Sequence, residues 1–323
     1  MAQYRIAQNL EDGQPVVRLT EIDSNSEVTV APLFGANAYD FHVNGKRVFW
    51  VPQASLSELM AKPRLCGNPL LAPWANRIDG LSYKINGKEY LLNPKLGNLR
   101  LDGNQNPIHG LVTFTKLWKV AEVTSQKDYA LVRMTLDASK QVDWLAQFPF
   151  PYRMELSYKL TSGTLEVITA VENLGSEPMP LAIGFHPYFQ VSDAVRDEWE
   201  VTIPAKDQLL LSQKLIPTGE TKPNPYSPGM KLKGVVLDDV FGGLVRDSSG
   251  RASFSVKGKT QKISVVYGKD FPIGVVYAPA GQNFICFEPM TAPTNAFNTP
   301  GSYKTIAPGT TWRESYWIQT EGF

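Results

Sequence analysis

Three histidines stand in this chain, His42, His109 and His186, and imidazole is the side chain whose ordinary pKa lies nearest neutrality. His186 sits in IGFHPYF, where Pro187 holds the preceding backbone extended and so fixes the ring's direction at the end of an apolar run. His109 sits in NPIHGLV, between Pro107 and Gly110. Each of these two could be a hydrogen-bonded structural histidine or an acid–base group. His42, in YDFHVNG beside a turn, reads as structural or surface. A complementary carboxylate is Glu288, in NFICFEPM, because an acid at the exit of an apolar run can be a solvated strand end or a buried base with a raised pKa. Asp238 in VVLDDVFGG is a second candidate, although with Asp239 it could simply form a polar turn. Arg77, after Trp74 and Asn76 in PLLAPWANRIDG, can donate to sugar hydroxyls or a developing oxyanion, or snorkel over Trp74. The aromatics Phe185, Tyr188 and Phe189 could be ordinary core or an apolar wall for a sugar ring.

Other chemistries find less support. There is no HxH or HExxH pair, and Cys66 and Cys286 have no short ligand spacing, so metal binding is not expected and the two thiols read as buried or incidental. With 32 basic and 31 acidic residues, the net charge of +1 gives no reason to expect a nucleic-acid or anionic-membrane partner. No run of 18 apolar residues appears, and MAQYRIAQNLEDGQPVVRL lacks an apolar signal core, so a cytoplasmic protein without a membrane span is expected.

Strands must position these groups. In YRMELSYKL, Tyr152, Met154, Leu156, Tyr158 and Leu160 share one face while Arg153, Glu155, Ser157 and Lys159 take the other, the period of a half-buried strand. TLEVITAVENL follows the turn signal Ser162-Gly163, which predicts an antiparallel hairpin. Short strands are also expected in SEVTVAPL, KRVFWVP, YALVRMTL, WEVTIP, ASFSV, KISVVYG, IGVVYAP and SYWIQT. The Asn-Gly steps of FHVNGKRVFW and YKINGKEY predict two further hairpins. ASLSELMAK has some helical character but is too short for a parallel crossover, so repeated βαβ units are not expected. The 25 glycines and 24 prolines are scattered as turn punctuation, and TGETKPNPYSPG reads as an exposed loop rather than a linker. The expectation is an all-β fold: one large, mostly antiparallel β-sandwich over residues 1–323, closed at its end by strands near Tyr316 and Trp317.

ANRI around Arg77, NPIHG around His109, GFHPYF around His186, LDDVF around Asp238 and FEPMTAPTNAFN around Glu288 follow one another from residue 76 to residue 298. In order and span the chain resembles the aldose 1-epimerase, or galactose mutarotase, family. The resemblance implies a galactose mutarotase-like sandwich with an open sugar cleft and an isomerase that needs no cofactor or metal. It implies His186 as general acid, Glu288 as general base, and His109 as the histidine assisting at the ring oxygen. Arg77 and Asp238 would hold hydroxyls, with Asn76, Phe185 and Tyr188 completing the substrate contacts. Two positions depart from common family forms: Pro187 stands where HTYF has threonine, and Asp239 where His or Asn is frequent. Both bear on galactose preference more than on the chemistry. The implied partner is a small-molecule aldose, for a monomer or homodimer in carbohydrate metabolism. Competing readings are a sugar-phosphate 1-epimerase, against which no compact basic cluster stands beside these motifs, and a carbohydrate-binding protein without catalysis.

Overall fold

The computed structural model describes residues 3–323, and two large antiparallel sheets dominate it. One has nine strands in the order Lys119–Ser125, Ala130–Asp137, Tyr152–Thr161, Thr164–Asn173, Thr311–Glu321, Lys262–Tyr267, Ala252–Lys257, Glu200–Thr202 and Met230–Lys231. The other runs Pro217–Pro223, Ala205–Leu211, Leu237–Leu244, Ile273–Ala278, Ile285–Met290, Gly184–Phe185 and Leu70–Leu71, with Tyr188–Phe189 also pairing to Ile285–Met290. A five-stranded antiparallel sheet, Tyr4–Glu11 through Lys46–Arg47, precedes them in the chain. This is the β-sandwich expected of a galactose mutarotase-like fold.

Local chemistry explains the hairpins. Ser162 and Gly163 both adopt positive φ, 48° and 69°, and close Tyr152–Thr161 onto Thr164–Asn173 in continuous register. Asn44-Gly45 and Asn86-Gly87 do the same between their flanking strands. Residues of these types tolerate the left-handed region that a two-residue hairpin turn demands. Tyr152, Met154, Leu156, Tyr158 and Leu160 are all buried, as their alternation requires.

The inner faces of the two large sheets make the core. Phe185 meets Tyr316 with ring centroids 4.9 Å apart, and Phe287 meets Phe254 at 5.9 Å. Gly274 leaves room for this contact: a Cβ there would lie 2.4 Å from Phe254 Cζ. Burying each such ring contributes roughly 1.5–3 kcal/mol.

Three expectations are corrected. The strand carrying Tyr316 and Trp317, Thr311–Glu321, does not close an end; it lies mid-sheet, between Thr164–Asn173 and Lys262–Tyr267. TGETKPNPYSPG is not all loop, because its first half belongs to Pro217–Pro223, an edge strand paired to Ala205–Leu211. Proline is tolerated there since an edge strand has one side without ladder partners. KRVFWVP supplies only Lys46–Arg47; Phe49 then forms an isolated bridge to Phe189. The helical character of ASLSELMAK is realised in Leu56–Ala61, closed by a capping box between Ser55 and Glu58.

Candidate active site

The eight-stranded sheet turns its other face to a cleft, and strand parity decides what reaches it. Asp238 lies opposite Tyr277, Tyr277 opposite Cys286, and Cys286 opposite Tyr188, while Glu288 lies opposite Val275. Because side chains alternate along a strand, Asp238, Tyr277, Glu288 and Tyr188 face the cleft while Leu237, Val276, Phe287 and Phe189 enter the core. Parity also separates Phe185 from His186. Phe185 is fully buried against Tyr316 and does not line the cleft, so it belongs to the core and makes no wall for a sugar.

His186 is held by backbone and stacking. Its N–H donates to the Pro69 carbonyl at 3.0 Å, and its ring lies parallel to that of Tyr188, 8° between planes and 4.8 Å between centroids. Nε2 sits 3.3 Å from Glu288 Oε1. The Glu288 carboxyl is nearly inaccessible, with Oε2 buried and unpartnered. Burial pushes the Glu288 pKa well above the usual carboxylate range, with the Asp238 charge adding to the effect. Burial lowers His186 to about 3. Mutual attraction favours the charge-separated state, and loss of water opposes it. Burial thus works against charge on both groups, while their 3.3 Å separation favours it.

The loops before the sheet bring the remaining groups. Asn76 and His109 both adopt left-handed backbone, φ 56° and 63°, and are tied by the His109 N–H donating to the Asn76 carbonyl at 2.8 Å. Gly110 follows at φ 67°, where a Cβ would stand 2.0 Å from the Ala72 carbonyl oxygen. The His109 ring meets His186 edge-on at 5.5 Å. Burial holds its pKa well below the ordinary value, with the neighbouring His186 and the Arg100 and Arg77 guanidinium groups acting in the same direction.

Arg77 does not snorkel over Trp74. Its Nε donates to Asp102 Oδ2 at 2.7 Å and its Nη1 to Asn76 Oδ1 at 2.9 Å, which aims the guanidinium into the cleft. Asp102 also accepts from the backbone N–H groups of Asn104 and Asn106, both at 2.9 Å. Burial acts to raise the Asp102 pKa, but the bonds from Asn106 and Arg77 outweigh it and hold the carboxyl below its usual range. Asp238 is half-buried and its pKa is raised by burial, with Arg77 opposing.

Asn76, Arg77, His109, His186, Tyr188, Asp238 and Glu288 thus line one cavity of about 220 Å³. That volume is below the roughly 300–1,000 Å³ of sites for drug-sized ligands and suits a single small ring. Tyr277, Leu65 and Ile108 also line it, and Asp102 supports it; none of these was identified from sequence. Tyr277 was detectable only through strand pairing, and Asp102 only through the turn that folds it back on Arg77. His42 lies elsewhere, 3.6 Å from Asp40, and Asp239 is bonded by Gln208 at 2.6 Å. Cys66 and Cys286 are free and buried; burial pushes Cys66 up to about 12 and Cys286 well above its ordinary value. Among the described residues, no group of three or more His, Cys, Asp or Glu side chains converges as metal ligands, and no helix is long and apolar enough to cross a membrane.

This sandwich gathers two histidines, two carboxylates and an arginine around one cleft, and the chain belongs to the aldose 1-epimerase family, whose model matches residues 18–319. It is 26% identical to YihR of Escherichia coli K12 over 238 residues, 71% of each chain. It is 30% identical to human galactose mutarotase over 155 residues, 46% of this chain and 40% of that one. Among solved structures, a galactose mutarotase-like protein from Clostridium acetobutylicum aligns with a TM-score of 0.88 at 22% identity, covering 99% of both chains. Galactose 1-epimerase from Lactobacillus acidophilus aligns with a TM-score of 0.79 at 15% identity over all of both chains.

Proposed function

We propose that the protein is an aldose 1-epimerase that interconverts the α and β anomers of aldohexoses such as glucose or galactose. The observation that carries this is the His186 Nε2 to Glu288 Oε1 separation of 3.3 Å at the floor of the cleft. Ring opening of a hemiacetal requires one proton to leave the C1 hydroxyl while another reaches the ring oxygen. A pair sharing one proton can do both. Glu288 passes its proton to His186, the carboxylate takes the C1 hydroxyl proton, and the imidazolium donates to the ring oxygen as the C1–O bond breaks. The open-chain aldehyde then lies beside a protonated Glu288 and a neutral His186, the state in which the pair began. Rotation about C1–C2 followed by the reverse transfers closes the other anomer.

The charge-separated state need not be far in energy. At 3.3 Å the two charges attract by about 5 kcal/mol if the effective dielectric is roughly 20, which offsets desolvation of several kcal/mol. His109 would assist at the ring oxygen, and Arg77, held by Asp102 and Asn76, would donate to hydroxyl oxygens. Asp238 would accept from sugar hydroxyls at the opposite wall.

The test is anomer exchange of freshly dissolved α-D-glucose and α-D-galactose, followed by polarimetry against the spontaneous rate, with the parent and His186→Ala. Acceleration by the parent and its loss in the folded variant are expected. Saturable sugar binding by the parent without acceleration would replace catalysis with carbohydrate binding alone.

A further inference from the structure

Asn295 stands seven residues after Glu288 in FEPMTAPTNAFN and closes a circuit of hydrogen bonds that joins the segments carrying Glu288, His186 and Arg77. Thr291, next after the strand Ile285–Met290, donates from its N–H and its Oγ1 to the Ile183 carbonyl at 2.9 and 3.0 Å. Ala182, beside Ile183, accepts the Ala75 N–H at 2.6 Å. From Ala75 the chain runs through Arg77 to Asp79, and there Asn295 holds it twice. The Asn295 N–H donates to the Arg77 carbonyl at 2.8 Å, and its Oδ1 accepts the Asp79 N–H at 3.0 Å. The circuit thus meets the chain three residues after Glu288, three before His186, and at Arg77 itself.

Two demands coincide at this position. Asn295 has φ 63° and ψ 26°, a left-handed backbone that asparagine tolerates better than most residues. The grip on Asp79 also needs a side-chain acceptor, which glycine lacks. Asn298 Nδ2 donates to that acceptor at 3.0 Å and to the Ser82 carbonyl at 3.3 Å, while Phe297 is buried edge-on to Trp74 at 6.4 Å. Asp102 and Asn76 aim the Arg77 guanidinium, but they fix the fork only relative to its own loops. A sugar held by Arg77 and opened by Glu288 requires the two groups at a set separation. Asn295 is where the Arg77 loop is fastened to the chain that leaves the Glu288 strand. We propose that Asn295 is a positioning residue whose side-chain oxygen sets Arg77 against the Glu288 strand and so governs affinity for the sugar. The proposal rests on the mutarotase reading of the site, in which Arg77 binds hydroxyls alike in the ground and transition states. Its loss therefore belongs in KM and not in kcat.

The test measures KM and kcat for anomer exchange of glucose by NMR, with urea unfolding of every variant. Asn295→Gly keeps the left-handed backbone and deletes Oδ1, whereas Asn295→Asp keeps an acceptor in its place. Asn295→Gly is expected to raise KM by about tenfold, the worth of one hydrogen bond, and Asn295→Asp to restore most of the affinity. The kcat of both should stay within about threefold of the parent. In an Arg77→Met background Asn295→Gly should change KM by less than about twofold, because the group that it positions is gone. A folded Asn295→Gly with lower stability and unchanged KM would make Asn295 a structural cap alone and overturn the proposal. So would a loss confined to kcat, or an equal rise in KM with and without Arg77. A parent that accelerates no anomer exchange would instead remove the mutarotase reading, and the proposal with it.

Discussion

Replacing Glu288 by Gln keeps the shape of the side chain and removes the ionisable group that stands 3.3 Å from His186 Nε2. In the unfolded chain a glutamate ionises near its ordinary pKa of about 4.3 and a histidine near about 6.5. In the folded protein burial raises Glu288 well above its ordinary value and lowers His186 to about 3. The signs follow from linkage. A raised carboxyl is a stabilising term below its unfolded pKa, and that stability is lost as pH rises toward the folded pKa. A depressed histidine contributes above its unfolded pKa, and that contribution is lost as pH falls toward 3. Between about pH 4.3 and 6.5 folded and unfolded pairs each hold one proton, so the two slopes cancel. Glu288→Gln deletes only the carboxyl slope.

The stability of Glu288→Gln relative to the parent should therefore climb by about 1.4 kcal/mol per pH unit above about pH 4.3, until the folded parent pair releases its proton. All other titrations are common to both proteins and drop out of the difference. Urea unfolding at four pH values between 5 and 8 reads it directly. In the same variant anomer exchange should fall by about 10³-fold or more, since base and counter-charge disappear together. A stability difference that stays flat with pH would show that the folded pair retains no extra proton, and the mechanism built on that proton would fall. A steep difference with turnover within tenfold of the parent would keep the electrostatics and remove Glu288 from the chemistry.

Asp102→Asn frees the Arg77 guanidinium from its 2.7 Å partner; KM should rise by about tenfold and stability fall by about 1–3 kcal/mol, and an unchanged KM would show that Arg77 holds its aim without Asp102. Gly110→Ala places a methyl 2.0 Å from the Ala72 carbonyl oxygen at φ 67°. It should cost about 2–5 kcal/mol in urea unfolding, and a smaller loss than about 1 kcal/mol would mean that the loop relaxes freely. Phe185→Leu empties part of the contact with Tyr316; stability should drop by about 1–2 kcal/mol with KM unmoved, and a raised KM in the folded variant would return Phe185 to the cleft.

Much of the fold was legible because its signals are local. The alternation of Tyr152 through Leu160 and the Ser162-Gly163, Asn44-Gly45 and Asn86-Gly87 turns depend only on neighbours in the chain, and each formed as expected. Family motifs led to seven of the residues that line the cavity. What was missed depends on partners distant in sequence. Tyr277 reaches the cleft because it pairs with Asp238 and Cys286. Asp102 matters because a turn anchored by Asn104 and Asn106 returns it to Arg77. Phe185 was misread although parity could have placed it: Phe185 and Phe189 share the odd, core-facing side, and His186 and Tyr188 the even one. How much water Glu288 and His186 lose was likewise not legible, because each is buried by partners distant in sequence.

The cleft is assembled by two unequal devices. Glu288, Tyr277, Asp238 and Tyr188 stand on paired strands, where register fixes each side chain and a displacement would break several ladder bonds at once. Asn76, Arg77 and His109 stand on loops, and their positions depend on two left-handed residues that each cost about 1–3 kcal/mol. These loops are clamped at several points: His109 N–H to Asn76, Leu111 N–H to Ala72 at 2.7 Å, Asn295 N–H to Arg77 at 2.8 Å, and Arg77 to Asp102. Asn and His are among the non-glycine residues that best tolerate that conformation, so residue type and backbone agree. The consequence is a division of labour that follows from the construction. In the proposed reaction proton transfer rests on the paired strands, where a small error in the 3.3 Å spacing of His186 and Glu288 would stop it. In the same proposal hydroxyl recognition is divided between Arg77 on the clamped loops and Asp238 on its strand.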